Sequence, residues 1–499
     1  MADVITRRQF MRNAGILTAA LLSGSTHMAR GQDDSSDRPN FVFILIDDLG
    51  WMDVGYHGSR LYETPNVDRL ARSGMRFSDA YAACPVCSPT RSSIMSGKYP
   101  ARLHQTDWIK GFPRRPHHKL LSVDDKNFLP REEVTVAESL KEAGYVTCHI
   151  GKWHMGGEGH MPTDQGFDYN ICGGPKGSPP GYFYPWKRQG PGWDELRALG
   201  KKGDYLTDLL SHQATDFIRE HQDQPFFLYL AHFNVHTPRQ AKQQYKELYQ
   251  KKLDAMPAQE GPAEEKERYD ARTKLHQDDP TFAGMVQSMD ESVGRVLDCL
   301  EETGLDENTV VVFMSDNGGL STLPARRTGS TSNAPLRAGK GWCYEGGIRE
   351  PCIIKWPGHT TPMSLCSEPV ISTDFYPTML AMAGLPLRPR QHMDGRNLAP
   401  LLTGQKEQLD REAIYWHYPH YHGSGSRPHG AMRKGRYKLI EFYEDMSVEV
   451  YDLEKDERER NDLSEKMPEK TVELREEFHA WLDKVDAQMP KPNPDYNKS

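Results

Sequence analysis

The sequence predicts an α/β fold, in which helices flank a large, mostly parallel sheet and a smaller α+β domain follows at the C-terminal end. Two observations carry this prediction. Apolar runs of strand length alternate with amphipathic stretches of helix length, and after residue 404 the pattern changes to short alternating segments. A length of 499 residues also suits one large domain followed by a small one.

Four apolar runs account for the predicted parallel sheet. Residues 41–46 are apolar throughout, which is typical of a strand buried on both faces. The other three runs, at 145–150, 226–231 and 310–314, each follow a helix-like stretch, at 135–143, 207–220 and 285–303. Strands that alternate with helices in this way form a parallel sheet covered on both sides.

Polar residues follow the end of each of these four runs. In open α/β sheets, ligands bind beyond the carboxyl ends of the strands, so we expect these side chains to share one site. They are Asp47 and Asp48, Lys152 and His154, His232 and His236, and Asp316 and Asn317.

The rest of the chain divides into a targeting segment at 1–32, a large domain at 33–404 and a small domain at 405–499. In the small domain we expect antiparallel strands at 413–418, 437–442 and 448–451, then a charged helix at 469–485. In the large domain, the polar stretch 240–280 suggests a solvated helix or an excursion, and 321–335 suggests a loop. We expect the tail from residue 490 to be disordered.

The targeting segment resembles an export signal. Arg7 and Arg8 fit a twin-arginine pattern, and the apolar stretch 14–22 is too short to span a bilayer. Ala29 and Gly31 are small residues at the spacing of a cleavage site. No later stretch reaches the roughly 20 apolar residues of a membrane span, so we expect export to the periplasm or the medium. A cytosolic N-terminal helix is the alternative.

Composition excludes two classes of protein. The net charge of −8, from 62 basic and 70 acidic residues, argues against nonspecific nucleic-acid binding. Eight cysteines are too sparse for a disulfide scaffold, although one or two bridges are possible in an oxidising compartment.

The segment that begins Cys87-Ser88-Pro89-Thr90-Arg91 resembles the C-x-P-x-R signature of the type I sulfatases. In that family a separate maturase converts the cysteine to formylglycine, whose hydrate has one hydroxyl to attack sulfur and another to expel sulfate. Arg91 is expected to steady this nucleophile. Cys84 and Cys87 also form a C-x-x-C pair, but without a second such pair structural zinc and redox chemistry are weak alternatives.

The same resemblance assigns the other site residues. It implies a single Ca²⁺ bound by Asp47, Asp48, Asp316 and Asn317 together with position 87, and oxygen-rich strand ends suit a hard cation. Residues 151–156 match the family block G-K-W-H-x-G. The implied roles are sulfate contact for Lys152 and Lys340, elimination of sulfate for His154, and the leaving group for His236. We expect His232 to be structural.

The resemblance extends from residue 39 to 453 and implies an alkaline-phosphatase-like catalytic domain at 33–404 and a sulfuric ester hydrolase. A sulfated galactose or N-acetylgalactosamine unit of a polysaccharide is the favoured substrate, and an aryl sulfate is a further one. We expect residues 173–184 to form one wall of the pocket and His417, His420 and His422 another. The alternative is that these aromatic side chains are core between the two domains. The alternatives are a phosphate or phosphonate ester hydrolase of the same superfamily and a noncatalytic glycan-binding protein.

Overall fold

An eight-stranded sheet forms the centre of the computed structural model, which describes residues 38–187, 190, 192–325 and 327–496. The predicted targeting segment lies outside these residues. In spatial order the strands are β13 (Leu365–Cys366), β2 (Met75–Phe77), β12 (Cys352–Lys355), β10 (Thr309–Ser315), β1 (Asn40–Ile46), β7 (Phe226–Ala231), β5 (Val146–Gly151) and β6 (Tyr169–Ile171).

The sheet is mostly parallel, as predicted. Strands β10, β1, β7, β5 and β6 run parallel to one another, and only β12 runs antiparallel to its two neighbours among the strands of this sheet. The four strands predicted from apolar runs are β1, β5, β7 and β10, and they are adjacent. Because Ile46 pairs with Ser315 in register, the residues that follow β1 and β10 leave the sheet side by side.

Helices cover both faces of this sheet. One face packs against α1 (Pro65–Ser73), α6 (Leu206–Glu220), α7 (Gln243–Ala255) and α8 (Pro280–Glu302). The other packs against α2 (Cys87–Ser96), α4 (Val136–Glu142), α10 (Phe375–Met382) and α11 (Ala399–Leu402). Shorter helices are α3 (Pro100–Leu103), α5 (Trp193–Leu199) and α9 (Glu345–Ile348).

Side-chain alternation in β1 explains why two separate cores form. Val42, Ile44 and Ile46 point into the first core, whereas Phe41 and Leu45 point into the second. Successive side chains of a strand face opposite sides of the sheet, so a continuous apolar run suits a strand covered by helices on both faces.

The C-terminal part contains a four-stranded antiparallel sheet of β15 (Ala413–Tyr418), β16 (His429–Lys434), β17 (Tyr437–Phe442) and β18 (Ser447–Asp452), followed by α12 (Pro468–Lys484). Three of these strands and the helix were predicted, and β16 was missed. A third core joins this sheet to the large domain, and the indole N–H of Trp416 donates to the Ala82 carbonyl at 2.8 Å.

Three expectations for the irregular stretches need correction. The stretch 240–280 contains β8 (Glu264–Lys266) and β9 (Ala271–Lys274) as well as a helix, and these strands pair with β11 (Thr322–Pro324), inside the expected loop. The tail is not disordered from residue 490, because β19 (Lys491–Pro492) pairs with β4 (Leu120–Leu121). A last pair joins β3 (Ala80–Tyr81) to β14 (Val370–Ile371).

All eight cysteines lie within the described residues, and no disulfide joins any two of them there, so the structure shows none of the bridges considered possible. Within the ranges that the structure describes, the helices are too short or too polar to cross a membrane.

Candidate active site

The carboxyl ends of β1, β5, β7 and β10 bring the predicted polar side chains to one edge of the large sheet. Asp47 and Asp48 follow β1, and Asp316 and Asn317 follow β10. The backbone N–H of Asp48 donates to the Asp316 carboxylate at 3.2 Å, and the Asn317 amide donates to Asp48 at 2.8 Å. The two acidic segments therefore form one buried cluster.

This acidic cluster has the geometry of a cation site. Single ligand atoms of Asp47, Asp316 and Cys87 lie within 4.8 Å of one another, and so do those of Asp47, Asp48 and His236. The side-chain oxygen of Asn317 is buried and has no hydrogen-bond partner among the described residues. Three carboxylates and a free amide oxygen are the donor set that a hard divalent cation prefers. The residues present therefore fit a metal ion.

Two lysines neutralise part of this negative charge. The Lys152 ammonium donates to both carboxylate oxygens of Asp47 at 2.8 Å, and Lys340 donates to Asp48. Burial alone would raise the pKa of Asp48, but the combined attraction of Lys340, His236 and Lys152 outweighs it and holds that pKa well below its usual range. The attraction of Asp48, acting against burial, raises the pKa of Lys340. Both partners of this pair are therefore charged.

Cys87 is the first residue of α2, a helix buried along its whole length, and Arg91 lies one turn later. The Arg91 guanidinium donates to Asp316 at 2.8 Å and to the carbonyl of Lys152 at 2.7 Å. Arg91 thus links the end of β10 to the end of β5 and holds the acidic cluster in place beneath position 87.

His154 faces the Cys87 side chain, with its Nδ1 atom 3.3 Å from the sulfur. Its Nε2–H donates to the Ile109 carbonyl at 2.6 Å, which leaves Nδ1 as the unprotonated nitrogen. Burial, and then the positive charge of Lys152, holds the pKa of His154 well below its ordinary value. The ring is therefore neutral and presents a lone pair to position 87.

The two histidines after β7 have different surroundings. His236 lines the cavity with Nε2 3.8 Å from an Asp48 oxygen, and burial lowers its pKa to about 3 despite the attraction of that carboxylate. His232 lies behind the site, where its ring bonds the Ser292 hydroxyl at 2.8 Å. The expectation that His232 is structural agrees with this position.

A cavity of about 1040 Å³ opens above these groups. Residues 175–178 form part of its wall, as the sequence predicted, and so does His422. The other two expected wall residues do not reach it: His417 bonds Tyr443 and the Gln488 carbonyl, and His420 bonds the Thr106 hydroxyl. That part of the prediction is wrong, because the His417 ring bonds within the small domain and the His420 ring packs against Thr106 of the large domain.

A further part of the cavity wall could not be predicted from the sequence. Trp108, Ile109 and Lys110 lie there, on a loop for which neither periodicity nor a motif gave any signal. Leu320 and Leu323 also line the cavity, just before and just inside the stretch 321–335 that was expected to be a loop. Only the folded chain shows that these segments face the acidic cluster.

Comparisons with known proteins agree with this fold. The family model described as Sulfatase matches residues 39–385, and the model for the C-terminal region of N-sulphoglucosamine sulphohydrolase matches 338–488. A sulfatase of Formosa agariphila is 31% identical over 95% of this chain and 93% of its own length. Human N-acetylgalactosamine-6-sulfatase is 32% identical over 77% of this chain and 70% of its own length.

Among solved structures, the crystal structure of Ps i-CgsB has a TM-score of 0.70 and 31% identity, and the match covers 89% of this chain and 93% of that one. A second structure of that protein contains k-i-k-neocarrahexaose. The fold and these relatives therefore define a hydrolase of the sulfatase type. The chain belongs to the sulfatase family and is a sulfuric ester hydrolase.

Proposed function

We propose that this protein hydrolyses a sulfate ester of a carbohydrate, with a formylglycine formed from Cys87 and one bound Ca²⁺. The observation that carries the proposal is the convergence of Cys87, His154, Lys152 and Lys340 on the acidic cluster at the floor of one cavity. A sulfated galactose or N-acetylgalactosamine unit is the substrate we favour, because relatives named for such a sugar and solved with a carrageenan oligosaccharide share the fold.

The cation would be held by Asp47, Asp48, Asp316 and Asn317, with position 87 as a further ligand. Oxygen ligands in this number favour Ca²⁺, which would offset the charge of the bound sulfate group. The two lysines add positive charge on the same side, so a sulfate oxygen would meet preorganised donors at the floor of the cavity.

His154 and His236 are the groups we assign to proton transfer. The Nδ1 lone pair of His154 faces the side chain at position 87, where it can take the proton that must leave before sulfate is expelled. His236 presents Nε2 to the cavity next to Lys340 and Asp48, which suits a group that serves the departing alcohol. Arg91 acts through Asp316 and the Lys152 carbonyl, so we assign it a positioning role.

Mass spectrometry and kinetics on the protein matured with a formylglycine-generating enzyme test the proposal. The tryptic peptide with position 87 should be about 18 Da lighter than its thiol form, which marks the aldehyde. Cys87→Ala should lower aryl sulfate turnover on the order of 10³-fold or more. Cys84→Ser is the control, because that thiol bonds the Thr106 carbonyl and lies outside the cavity lining. Full activity with an unmodified thiol would overturn the mechanism.

Paired substrates separate the competing functions. We expect the rate on an aryl sulfate to exceed the rate on the matching aryl phosphate, and a reversed order would favour the phosphate or phosphonate ester hydrolase. No turnover of any sulfate ester by fully modified protein would favour a noncatalytic glycan-binding protein.

We also propose that residues 1–32 direct export by the twin-arginine route, which carries folded proteins and so allows maturation before transport. A reporter fused to these residues should be exported, and a double Arg7→Lys and Arg8→Lys change should stop it. Export that continued unchanged would contradict the proposed route.

A further inference from the structure

Three basic side chains around the cavity have no carboxylate partner among the described residues. Lys110, Lys176 and Arg327 line the cavity and are exposed. None of them forms an ion pair or a side-chain hydrogen bond with another residue in the part of the chain that the structure describes. They therefore differ from Lys340, which is paired with Asp48.

The cavity as a whole carries a positive potential above its floor. Its described lining contains four basic side chains, and Asp48, the single carboxylate among them, is already paired with Lys340. The complete chain has a net charge of −8, so this concentration of positive charge is local rather than a reflection of composition. A cleft lined by one sign of charge attracts ligands of the other sign.

The loop that carries Lys110 extends this positive charge away from the cavity. Residues 108–123 contain no aspartate or glutamate, and Arg115 and Lys119 are exposed on this stretch. This stretch of the chain therefore carries basic side chains beyond the residues that line the cavity.

The size and the apolar surface of the cavity also suit a ligand larger than one sugar. A volume of about 1040 Å³ is at the upper end of the roughly 300–1,000 Å³ usual for small-molecule pockets, so it exceeds the needs of one sulfated sugar. Trp108, Leu323 and Pro238 supply apolar faces among the cations, and such faces suit sugar rings.

We propose that the cavity binds an oligosaccharide with further anionic groups, sulfate or carboxylate, besides the ester that is hydrolysed, and that Lys110, Lys176 and Arg327 bind those groups. This inference rests on the proposed function. It adds that the sugars next to the hydrolysed ester carry negative charge. A singly sulfated monosaccharide leaves these three cations unused.

Direct binding to the Cys87→Ala protein tests the inference without any turnover. Calorimetry would compare carrageenan and chondroitin sulfate tetrasaccharides with their chemically desulfated forms. We expect the best sulfated tetrasaccharide to bind at least tenfold more tightly than its desulfated form. Its affinity should fall as salt rises, because exposed charges are screened beyond about 10 Å at 0.1 M.

A triple change of Lys110, Lys176 and Arg327 to Gln should weaken this binding about tenfold or more, since each exposed ion pair contributes roughly two- to fivefold. Lys406→Gln removes an exposed charge that does not line the cavity and should bind as the parent does. Thermal unfolding would confirm that each variant is folded. If the triple variant is not folded, the three single variants would be measured instead.

The inference fails if none of the sulfated tetrasaccharides binds more tightly than its desulfated form. It also fails if the changes at the three cations have no larger effect than Lys406→Gln, or if a DNA oligonucleotide of equal charge binds equally well. The proposed function fails separately, when the fully modified parent protein turns over no sulfate ester.

Discussion

Asp48 and His154 both adopt left-handed backbone conformations, with φ of 63° and 58°. This region is unfavourable for residues other than glycine and is usually kept only where surrounding contacts enforce it. Both residues lie just after strands of the large sheet. The turns direct the Asp48 carboxylate towards Lys340 and the His154 ring towards Cys87, so the strain serves to place functional groups.

Gly177 makes room for the His154 ring, and Gly177→Ala should therefore reduce turnover. A Cβ atom at position 177 would lie 2.1 Å from the ring, which is held in place by the Ile109 carbonyl. A shift of the ring by about 1 Å should lower kcat about a hundredfold. Gly157→Ala is the matched control, because its Cβ would meet Pro175 at 3.4 Å, an ordinary contact. Equal rates for the two variants would contradict this role.

Removal of the proposed Ca²⁺ should lower both activity and stability. After dialysis against a chelator, added Ca²⁺ should raise the unfolding temperature, with about 2.7 kcal/mol of stabilisation at 100 times the dissociation constant. Asn317→Ala removes one ligand oxygen and should weaken Ca²⁺ binding at least about tenfold. Asp223→Asn, at an exposed carboxylate, is the control. A Ca²⁺ response unchanged in Asn317→Ala would show that the ion binds elsewhere.

His232 should make the protein less stable in acid. Burial lowers its pKa to about 3 from an ordinary value near 6.5, so below pH 6.5 the unfolded chain binds a proton that the folded chain does not. Stability then falls as the pH drops from 6.5 towards 3, and the loss at pH 4.5 is about 2.7 kcal/mol.

His232→Gln removes this titration, so its free energy of unfolding should depend less on pH by about that amount. Urea unfolding at pH 7 and pH 4.5 measures the difference. His359→Gln, at an exposed ring, should keep the slope of the parent protein. An identical slope for His232→Gln would show that this histidine is not the source of acid sensitivity.

The loop between α3 and β4 contacts the C-terminal sheet next to the site. The Asp107 carboxylate accepts from the backbone N–H groups of Trp108 and Phe112 and from the Tyr418 hydroxyl. Burial raises the pKa of Asp107 to about 7 despite these bonds. The bonds fix the Ile109 carbonyl, which in turn sets the protonated nitrogen of His154.

Asp107→Ala should therefore lower kcat about tenfold to a hundredfold, because the carbonyl that orients His154 loses its support. The content of formylglycine should stay as in the parent protein, and mass spectrometry checks it. Asp124→Ala is the control, because that exposed carboxylate pairs with Arg114 in the same stretch of chain. A loss of activity that only followed a loss of formylglycine would argue against the positioning role.

The two parts of the molecule share a buried group of charges. Lys438, on β17 of the small sheet, bonds Glu345 of α9 at 2.8 Å and Glu459 at 2.9 Å, and all three side chains are inaccessible to solvent. Glu345 belongs to the large domain, so this contact helps to fix how the C-terminal sheet sits against the catalytic core. We propose that the boundary between the two domains lies at residues 404 and 405, between α11 and β15.

Lys438→Met should destabilise the protein by about 3–5 kcal/mol, because it leaves the buried Glu459 carboxylate without its cation and leaves Glu345 with only Arg349, 3.6 Å away. Urea unfolding measures the change. Lys434→Met on the neighbouring strand is the matched control, since its partly exposed pair with Glu477 should contribute at most about 1 kcal/mol. Equal losses for the two variants would show that the buried contact does not stabilise the arrangement of the domains.

The sequence by itself determined the central strands and the residues at their ends. Apolar runs are a local property of the sequence. A parallel sheet places the carboxyl ends of its strands at one edge, independently of the conformation of the loops. For that reason Asp47, Lys152, His236 and Asp316 could be assigned to one site, and four of the eight strands of the large sheet could be found. The other four strands, β2, β6, β12 and β13, have only two to four residues each, which is too short for a periodic pattern.

Only the tertiary structure decided the wall of the cavity that faces these strand ends. Trp108 and Lys110 reach the site because Asp107 bonds Tyr418, which is 311 residues away, and no local pattern encodes such a contact. The same packing brings His422 to the cavity and turns His417 and His420 away from it. Loops take their places from long-range hydrogen bonds and domain packing, which become defined only when the chain folds.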